Sequence, residues 1–204
     1  MKVERASIPD VLVLEPQVFG DARGFFYESY NRRSFSAATG LDVEFVQDNH
    51  SRSARNVLRG LHYQVRQPQG KLVRVVSGEI WDVAVDLRRG SPSFGRWVAA
   101  RLDAVSHRML WIPPGFAHGF VVLSQQADVV YKTTDFYAPE HERTLLWNDP
   151  ALSIPWPLAG APVMADKDRR GVPQVVPRDI RKRRAFSRRA QHEQQPEHDH
   201  ERGD

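Results

Sequence analysis

Cysteine is absent from the 204 residues. A thiol nucleophile, a thiolate metal centre and a disulfide are therefore all closed to this chain, and its chemistry has to be acid–base or electrostatic. Long apolar runs are missing as well. Nothing approaches the roughly 20 residues that span a bilayer, and Asp10 and Glu15 interrupt the only apolar stretch near the start. The expectation is a cytoplasmic protein with no membrane partner. There is no phosphate-binding glycine loop, no dinucleotide fingerprint and no internal repeat, which argues against a nicotinamide dehydrogenase. Helical periodicity is scarce too, with residues 33–39 the one brief candidate.

What is present is ordinary in amount and uneven in placement. A chain of this length, 41% hydrophobic and 10% aromatic, can bury one substantial core. The formal charge of +4 invites a nucleic-acid reading, but the excess is local. Residues 178–189 hold seven Lys/Arg against Asp179 alone, and the remainder of the tail sets Arg202 against five acidic residues. The body is close to balanced, so no nucleic-acid partner is expected. The reading is one domain over residues 1–177 and a disordered charged tail over 178–204.

The body is expected to be all-β. Candidate strands cover residues 11–14, 25–30, 44–47, 72–77, 80–87, 97–102, 109–112, 120–123 and 129–136, and His62 sits in a further strand-like run. They are short, rich in Val, Phe, Tyr and Trp, and punctuated by Gly20-Asp21, Gly78-Glu79 and Gly90-Ser91-Pro92. Many short strands with no helices between them indicate a sandwich or double-sheet jelly roll. Residues 80–87 alternate cleanly, with Trp81, Val83, Val85 and Leu87 opposite Asp82, Ala84 and Asp86. The two aspartates are either a paired acidic site in a barrel mouth or a solvated edge.

Chemistry-bearing residues stand in several segments. His62 is bracketed by cations, in Arg59-Gly-Leu-His62 and then Gln69-Gly-Lys71. A neutral imidazole takes a proton near pH 7, and an adjacent cation can hold the negative charge that results. Pro113-Pro-Gly-Phe-Ala-His118-Gly-Phe is a tight turn feeding a histidine into a strand. Tyr131 and Tyr137 supply phenols, which are proton donors at neutral pH or plain structural residues. Met164-Ala-Asp166-Lys167-Asp168 is a polar island or simply a loop.

Read together, these segments resemble a known family. The ordered blocks are Ile8-Pro-Asp-Val-Leu, Val18-Phe-Gly-Asp-Ala-Arg23-Gly-Phe-Phe-Tyr-Glu28, Phe45-Val-Gln47-Asp-Asn49, Arg59-Gly-Leu-His62, Gln69-Gly-Lys71, Ile112-Pro-Pro-Gly-Phe-Ala-His118-Gly-Phe, Tyr131-Lys-Thr-Thr and Leu146-Trp-Asn-Asp-Pro. From about residue 8 to 168 the chain resembles the dTDP-4-dehydrorhamnose 3,5-epimerases, which are cupin-type enzymes that need no cofactor. The resemblance implies a double-stranded β-helix, or jelly roll, with a few short helices. It also implies a dTDP-4-keto-6-deoxy sugar as substrate and a homodimer that exchanges N-terminal strands. Carried onto this chain, it makes His62 the base, Asp168 its partner, Tyr131 the opposite-face proton donor and Lys71 the cation at the enolate oxygen. Arg23 and Arg59 would meet the diphosphate. Phe19, Glu28, Gln47, Asn49, His118, Tyr137 and Lys167 complete the implied substrate-binding set. Where metal-binding cupins carry a His-x-His pair, this chain reads His62-Tyr63-Gln64, and an amide is a poor transition-metal ligand, so no metal is expected.

Other readings share parts of this pattern. A sibling that epimerises only C3 or C5, or isomerises the ketone, uses the same base and pocket. A non-catalytic sugar-nucleotide binder, a metal-dependent cupin oxygenase and an Arg-rich nucleic-acid binder are further alternatives.

Overall fold

Short β-branched and aromatic runs, interrupted by glycine and proline turns, leave the backbone little choice but antiparallel pairing. The computed structural model describes residues 1–174. The expected boundary at residue 177 and the charged tail over 178–204 lie outside the described residues.

The first strands are β1 (Lys2–Arg5), β2 (Leu12–Glu15), β3 (Phe19–Asp21) and β4 (Gly24–Phe26), followed by helix α1 (Arg32–Thr39). Next come β5 (Gln47–Ala54), β6 (Leu58–Gln64), β7 (Lys71–Ser77), β8 (Glu79–Asp86) and β9 (Trp97–Asp103). The series closes with β10 (Met109–Ile112), β11 (Phe116–Val122), β12 (Gln126–Thr133), β13 (Glu142–Thr144) and the short helix α2 (Asp166–Arg169). Six strands form one antiparallel sheet in the order β1-β2-β10-β7-β12-β5, and five form a second in the order β13-β6-β11-β8-β9. β3 and β4 make a separate hairpin. This is the all-β, two-sheet jelly roll expected of the sequence.

The main core lies between the sheets. Val73, Val75, Leu110, Ile112 and Val129 from the first meet Ile80, Ala84, Leu102, Phe116 and Phe120 from the second. The outer faces are covered as well. On the six-stranded sheet, Leu12, Leu14, Leu72, Met109 and Trp111 pack against Phe35 of α1. That helix is delimited by Asn31, whose side chain accepts a hydrogen bond from the Ser34 backbone N–H, and by Gly40 in the left-handed region. On the five-stranded sheet, Leu145, Leu152, Ile154 and Trp156 cover Leu61, Val83, Val85 and Ala117.

Double-sided burial corrects one expectation. Asp82 and Asp86 form neither a paired acidic site nor a solvated edge: both are fully buried, each with its own partners. Asp82 meets His118. Asp86 accepts hydrogen bonds from Arg88, Ser91 and Ser93. Burial pushes the Asp86 carboxyl up, but those donors outweigh it and hold the group at about 2. The strand expected at residues 44–47 begins instead at Gln47 and runs to Ala54. Its sequence, Gln-Asp-Asn-His-Ser-Arg-Ser-Ala, has no apolar face to announce it, because one side looks into a polar cavity.

One backbone position governs how β6 meets β11. Gly60 has φ +112°, and a Cβ there would lie 2.6 Å from both the Gly119 Cα and the His118 carbonyl oxygen. Both neighbours are backbone and cannot rotate away. Gly60→Ala is therefore expected to cost at least about 1–3 kcal/mol, read as a lower urea midpoint. An unchanged midpoint would mean that the two strands can separate freely there.

Candidate active site

In a regular strand, residues three apart point to opposite faces, so Arg59 and His62 should diverge. They do not. His62 pairs with His118 of β11, yet Arg59 pairs with Phe120, so three steps along β6 match two along β11. The extra residue is a bulge at Gly60, where the Gly60–Leu61 peptide is cis. Both side chains thereby line one cavity of about 580 Å³ between the sheets, a size suited to a small-molecule ligand.

The cavity takes residues from many elements. β5 supplies Gln47 and Asn49, β7 Lys71, β11 His118, β12 Tyr131, β13 Glu142 and α2 Lys167 and Asp168, with Tyr137 from the preceding loop. Asp168 is 2% exposed. Its oxygens are shared between His62 Nε2, at 2.6 Å, and the Gly60 backbone N–H, at 3.3 Å. The chain entering α2 is held to β6 by Leu58 N–H donating to the Val163 carbonyl and Val163 N–H donating to Asn56. A carboxylate at Nε2 keeps the ring proton on that nitrogen and leaves Nδ1 with its lone pair.

A second histidine is arranged in the same way. His118 Nε2 lies 2.9 and 3.0 Å from the two oxygens of Asp82. Asp82 pairs with Phe120 and His118 with Ala84, so the contact is a diagonal across neighbouring strands. Burial lowers the His118 pKa, with Asp82 acting in the opposite sense. Lys71 is 8% exposed and makes no ion pair with any described residue. Desolvation brings its ammonium down to about 8, partly opposed by the charges of Asp82 and Glu142. Burial raises the Tyr131 phenol, so it holds its proton throughout the neutral range. Arg59 is braced by the Ser53 hydroxyl at 2.9 Å and makes no ion pair with any described carboxylate, which leaves its charge available to an anion.

At the mouth, Glu142 accepts from Lys167 Nζ at 2.9 Å and from the Tyr137 hydroxyl at 3.2 Å. Gln47 accepts from the Tyr137 backbone N–H, at 3.0 Å, and its Nε2 donates to Asn49. The arrangement sets two imidazoles, a phenol and a desolvated ammonium around one polar cavity, with a guanidinium that has no ion pair among the described residues at its edge. Such a site can move protons and stabilise an anion.

Ten of the thirteen residues expected at the site line this cavity: His62, Tyr131, Asp168, Lys71, Gln47, Asn49, Arg59, His118, Tyr137 and Lys167. Phe19, Arg23 and Glu28 do not. Phe19 and Arg23 belong to the exposed β3–β4 hairpin, where Arg23 pairs with Asp21. Glu28 accepts from Asn31 and Ser34 at the start of α1. Glu142 was missed by sequence reasoning, since nothing in His-Glu-Arg-Thr marks that acid as facing a cavity. Asp82 was noticed as a carboxylate but not as the partner of His118, which only the strand register pairs with it. Among the described residues no three His, Asp or Glu side chains converge as a metal-ligand set.

Known proteins share this arrangement of sequence and fold. The family model described as dTDP-4-dehydrorhamnose 3,5-epimerase matches residues 5–174. The chain is 67% identical over 171 residues to a dTDP-4-dehydrorhamnose 3,5-epimerase of Pseudomonas aeruginosa, covering 84% of this chain and 94% of that one. It is 57% identical over 172 residues to the Shigella flexneri protein of the same name, covering 84% and 94%. The crystal structure of the Legionella pneumophila dTDP-6-deoxy-D-glucose-3,5-epimerase, in complex with dTDP-4-keto-L-rhamnose, has 49% identity and a TM-score of 0.83, covering 84% of this chain and 92% of that one. With the matching model spanning the sheets, the cavity and both histidine–aspartate contacts, this chain belongs to the dTDP-4-dehydrorhamnose 3,5-epimerase family.

Proposed function

We propose that this enzyme inverts C3 and C5 of dTDP-4-dehydro-6-deoxy-D-glucose, yielding dTDP-4-dehydro-L-rhamnose for dTDP-L-rhamnose synthesis. The observation that carries the reading is the 2.6 Å His62–Asp168 contact opening onto the cavity that also holds Lys71 and Tyr131.

Both reacting carbons flank the C4 ketone. His62 removes the C–H proton, and the electron pair passes through the new C=C bond to the C4 oxygen as an enolate. Asp168 fixes the ring and stabilises the imidazolium that forms. Lys71 faces the enolate oxygen, where a preorganised donor of this kind contributes about 2.7–4 kcal/mol. Tyr131 delivers a proton to the same carbon from the other face, the enolate collapses to the ketone and the centre is inverted. Solvent takes the proton from His62 and restores the one on Tyr131, so nothing is consumed.

Arg59 suits one end of the diphosphate through its planar fork. Gln47 and Asn49 offer amides to the thymine and deoxyribose, Tyr137 covers them, and His118 and Lys167 border the bound molecule. Phe19, Arg23 and Glu28 reach the nucleotide from a second subunit in a homodimer that exchanges N-terminal strands. In support, the hairpin carrying Phe19 also exposes Phe25 and Phe26 by more than half, which is costly for a monomer.

Three outcomes test this reading. In deuterated water, wild-type enzyme should place deuterium at both C3 and C5 by NMR, and His62→Asn should slow labelling about 10²–10⁴-fold. Label at a single carbon would identify a monoepimerase instead, and exchange undiminished by the substitution would remove His62 from the mechanism. Free-enzyme kcat/KM should fall above about pH 8 as Lys71 loses its proton, since only the ammonium stabilises the enolate. Asp82→Asn removes a carboxylate that favours the ammonium, so this alkaline limb should move to lower pH, and a limb that stays in place rules out that coupling. Finally, co-expression of Arg23→Ala and His62→Asn chains should recover about a quarter of wild-type activity, because random pairing of subunits leaves one intact site in each mixed dimer. No recovery means that each chain supplies its own Arg23.

A further inference from the structure

Gln64 stands on β6 two residues after His62, at the position where a metal-binding cupin presents its second imidazole. It is 9% exposed and does not line the cavity. Its amide is wholly engaged with backbone. Nε2 donates to the Gln67 carbonyl at 2.7 Å and to the Phe136 carbonyl at 3.3 Å, while Oε1 accepts from the Ala138 N–H at 3.0 Å. The last two are the peptide groups on either side of Tyr137, so one amide grips both flanks of that residue.

The surrounding contacts show how much depends on this grip. Tyr137 is half exposed, and its ring has no aromatic neighbour within stacking range among the described residues. The loop before it is joined to the β6–β7 loop by Gln69 Nε2 donating to the Asp135 carbonyl and by Gly70 N–H donating to Thr134 Oγ1. Gln64 bonds to both loops at once, through Gln67 on one side and residues 136 and 138 on the other. It thereby sets the distance between the stretch leading to Lys71 and the stretch presenting Tyr137. An apolar residue would take the side-chain partner from two carbonyls and from the N–H of the buried Ala138. A glutamate would keep the acceptor arm and turn a negative oxygen toward the two carbonyls.

We propose that Gln64 is a positioning residue for nucleotide recognition, acting through Tyr137 by clamping the two peptide groups that flank it, without touching the substrate itself. The inference rests on the reading that Tyr137 covers the nucleotide. By holding the ring over the cavity mouth before the ligand arrives, Gln64 removes an ordering cost from binding. The chemical step at His62 does not depend on it.

Calorimetric binding of dTDP, steady-state kinetics and thermal melting on Gln64→Leu, Tyr137→Ala and the double variant test the proposal. Gln64→Leu should raise the dTDP Kd and the KM about tenfold, the cost of ordering one released side chain and its loop on binding, with kcat within about twofold of wild type. In the Tyr137→Ala background the same substitution should add no further loss of dTDP affinity, because both act through one ring. If Gln64→Leu does not fold, Gln64→Glu is measured in the same way and should show a rise that also disappears in the Tyr137→Ala background. Equal losses in both backgrounds, a fall in kcat with Kd unchanged, or a lowered melting temperature with dTDP affinity intact would each overturn the proposal. A wild-type chain that does not bind dTDP defeats the nucleotide reading itself, whereas a wild type that binds and a Gln64 variant that binds equally well defeats only this inference.

Discussion

A carboxylate almost wholly removed from water has to be satisfied or neutralised, and at Asp168 the fold supplies the partners. His62 takes one oxygen and the Gly60 backbone N–H the other. Breaking a buried pair of this kind by deleting one partner costs about 3–5 kcal/mol, because the remaining group stays desolvated. The contact ties together chain segments more than a hundred residues apart. It requires the Gly60 bulge, which turns His62 toward the cavity, and the covering segment over residues 145–165, which delivers α2 to the edge of β6. Much of the five-stranded sheet's outer packing, Leu152 and Trp156 included, serves that delivery as well as the core.

Around this contact the charges are distributed with a consistent sense. Cations face the cavity with spare capacity: Arg59 makes no ion pair with a described carboxylate, and Lys71 is desolvated. The acids are already committed, Asp168 to His62, Asp82 to His118 and Glu142 to Lys167 and Tyr137. A site of this kind attracts an anionic ligand and tolerates a transient oxyanion without having to reorganise. Burial sets the two proton-active extremes apart, bringing the ammonium down toward neutrality and raising the phenol. Their separation follows from one cause acting on groups of opposite charge type.

Much of this could be read from the chain. The turn ending at Gly115 and the apolar alternation over residues 80–87 identified β strands, and the bracket of Arg59 and Lys71 singled out His62. The family resemblance that the ordered motif blocks carry then named ten residues that do meet at one cavity. Phe19, Arg23 and Glu28 stand elsewhere in the single chain, since the order of a motif along the sequence does not record where its residues lie in space. β5 escaped notice because its cavity-facing side chains are amides and a hydroxyl, which look like a loop to any rule based on apolar period. The alternation leaves Asp82 open as part of a paired acidic site or of a solvated edge, because a period of two does not tell a wet face from a covered one. The outer side is covered by Leu145, Leu152, Ile154 and Trp156 and the inner one by the opposite sheet.

By itself, the sequence determined the fold class and the exclusion of thiol chemistry, and it marked His62, Lys71 and Tyr131 as groups able to take or give a proton or to hold charge. These follow from residue type and short-range period, which are local properties. Tertiary structure alone decided that Arg59 and His62 share a face, that Asp82 answers His118 and that Gln64 bonds to two loops at once. Each of those outcomes depends on strand register, and register is fixed by pairing between residues far apart in the chain, where a slip of one position reverses every side chain.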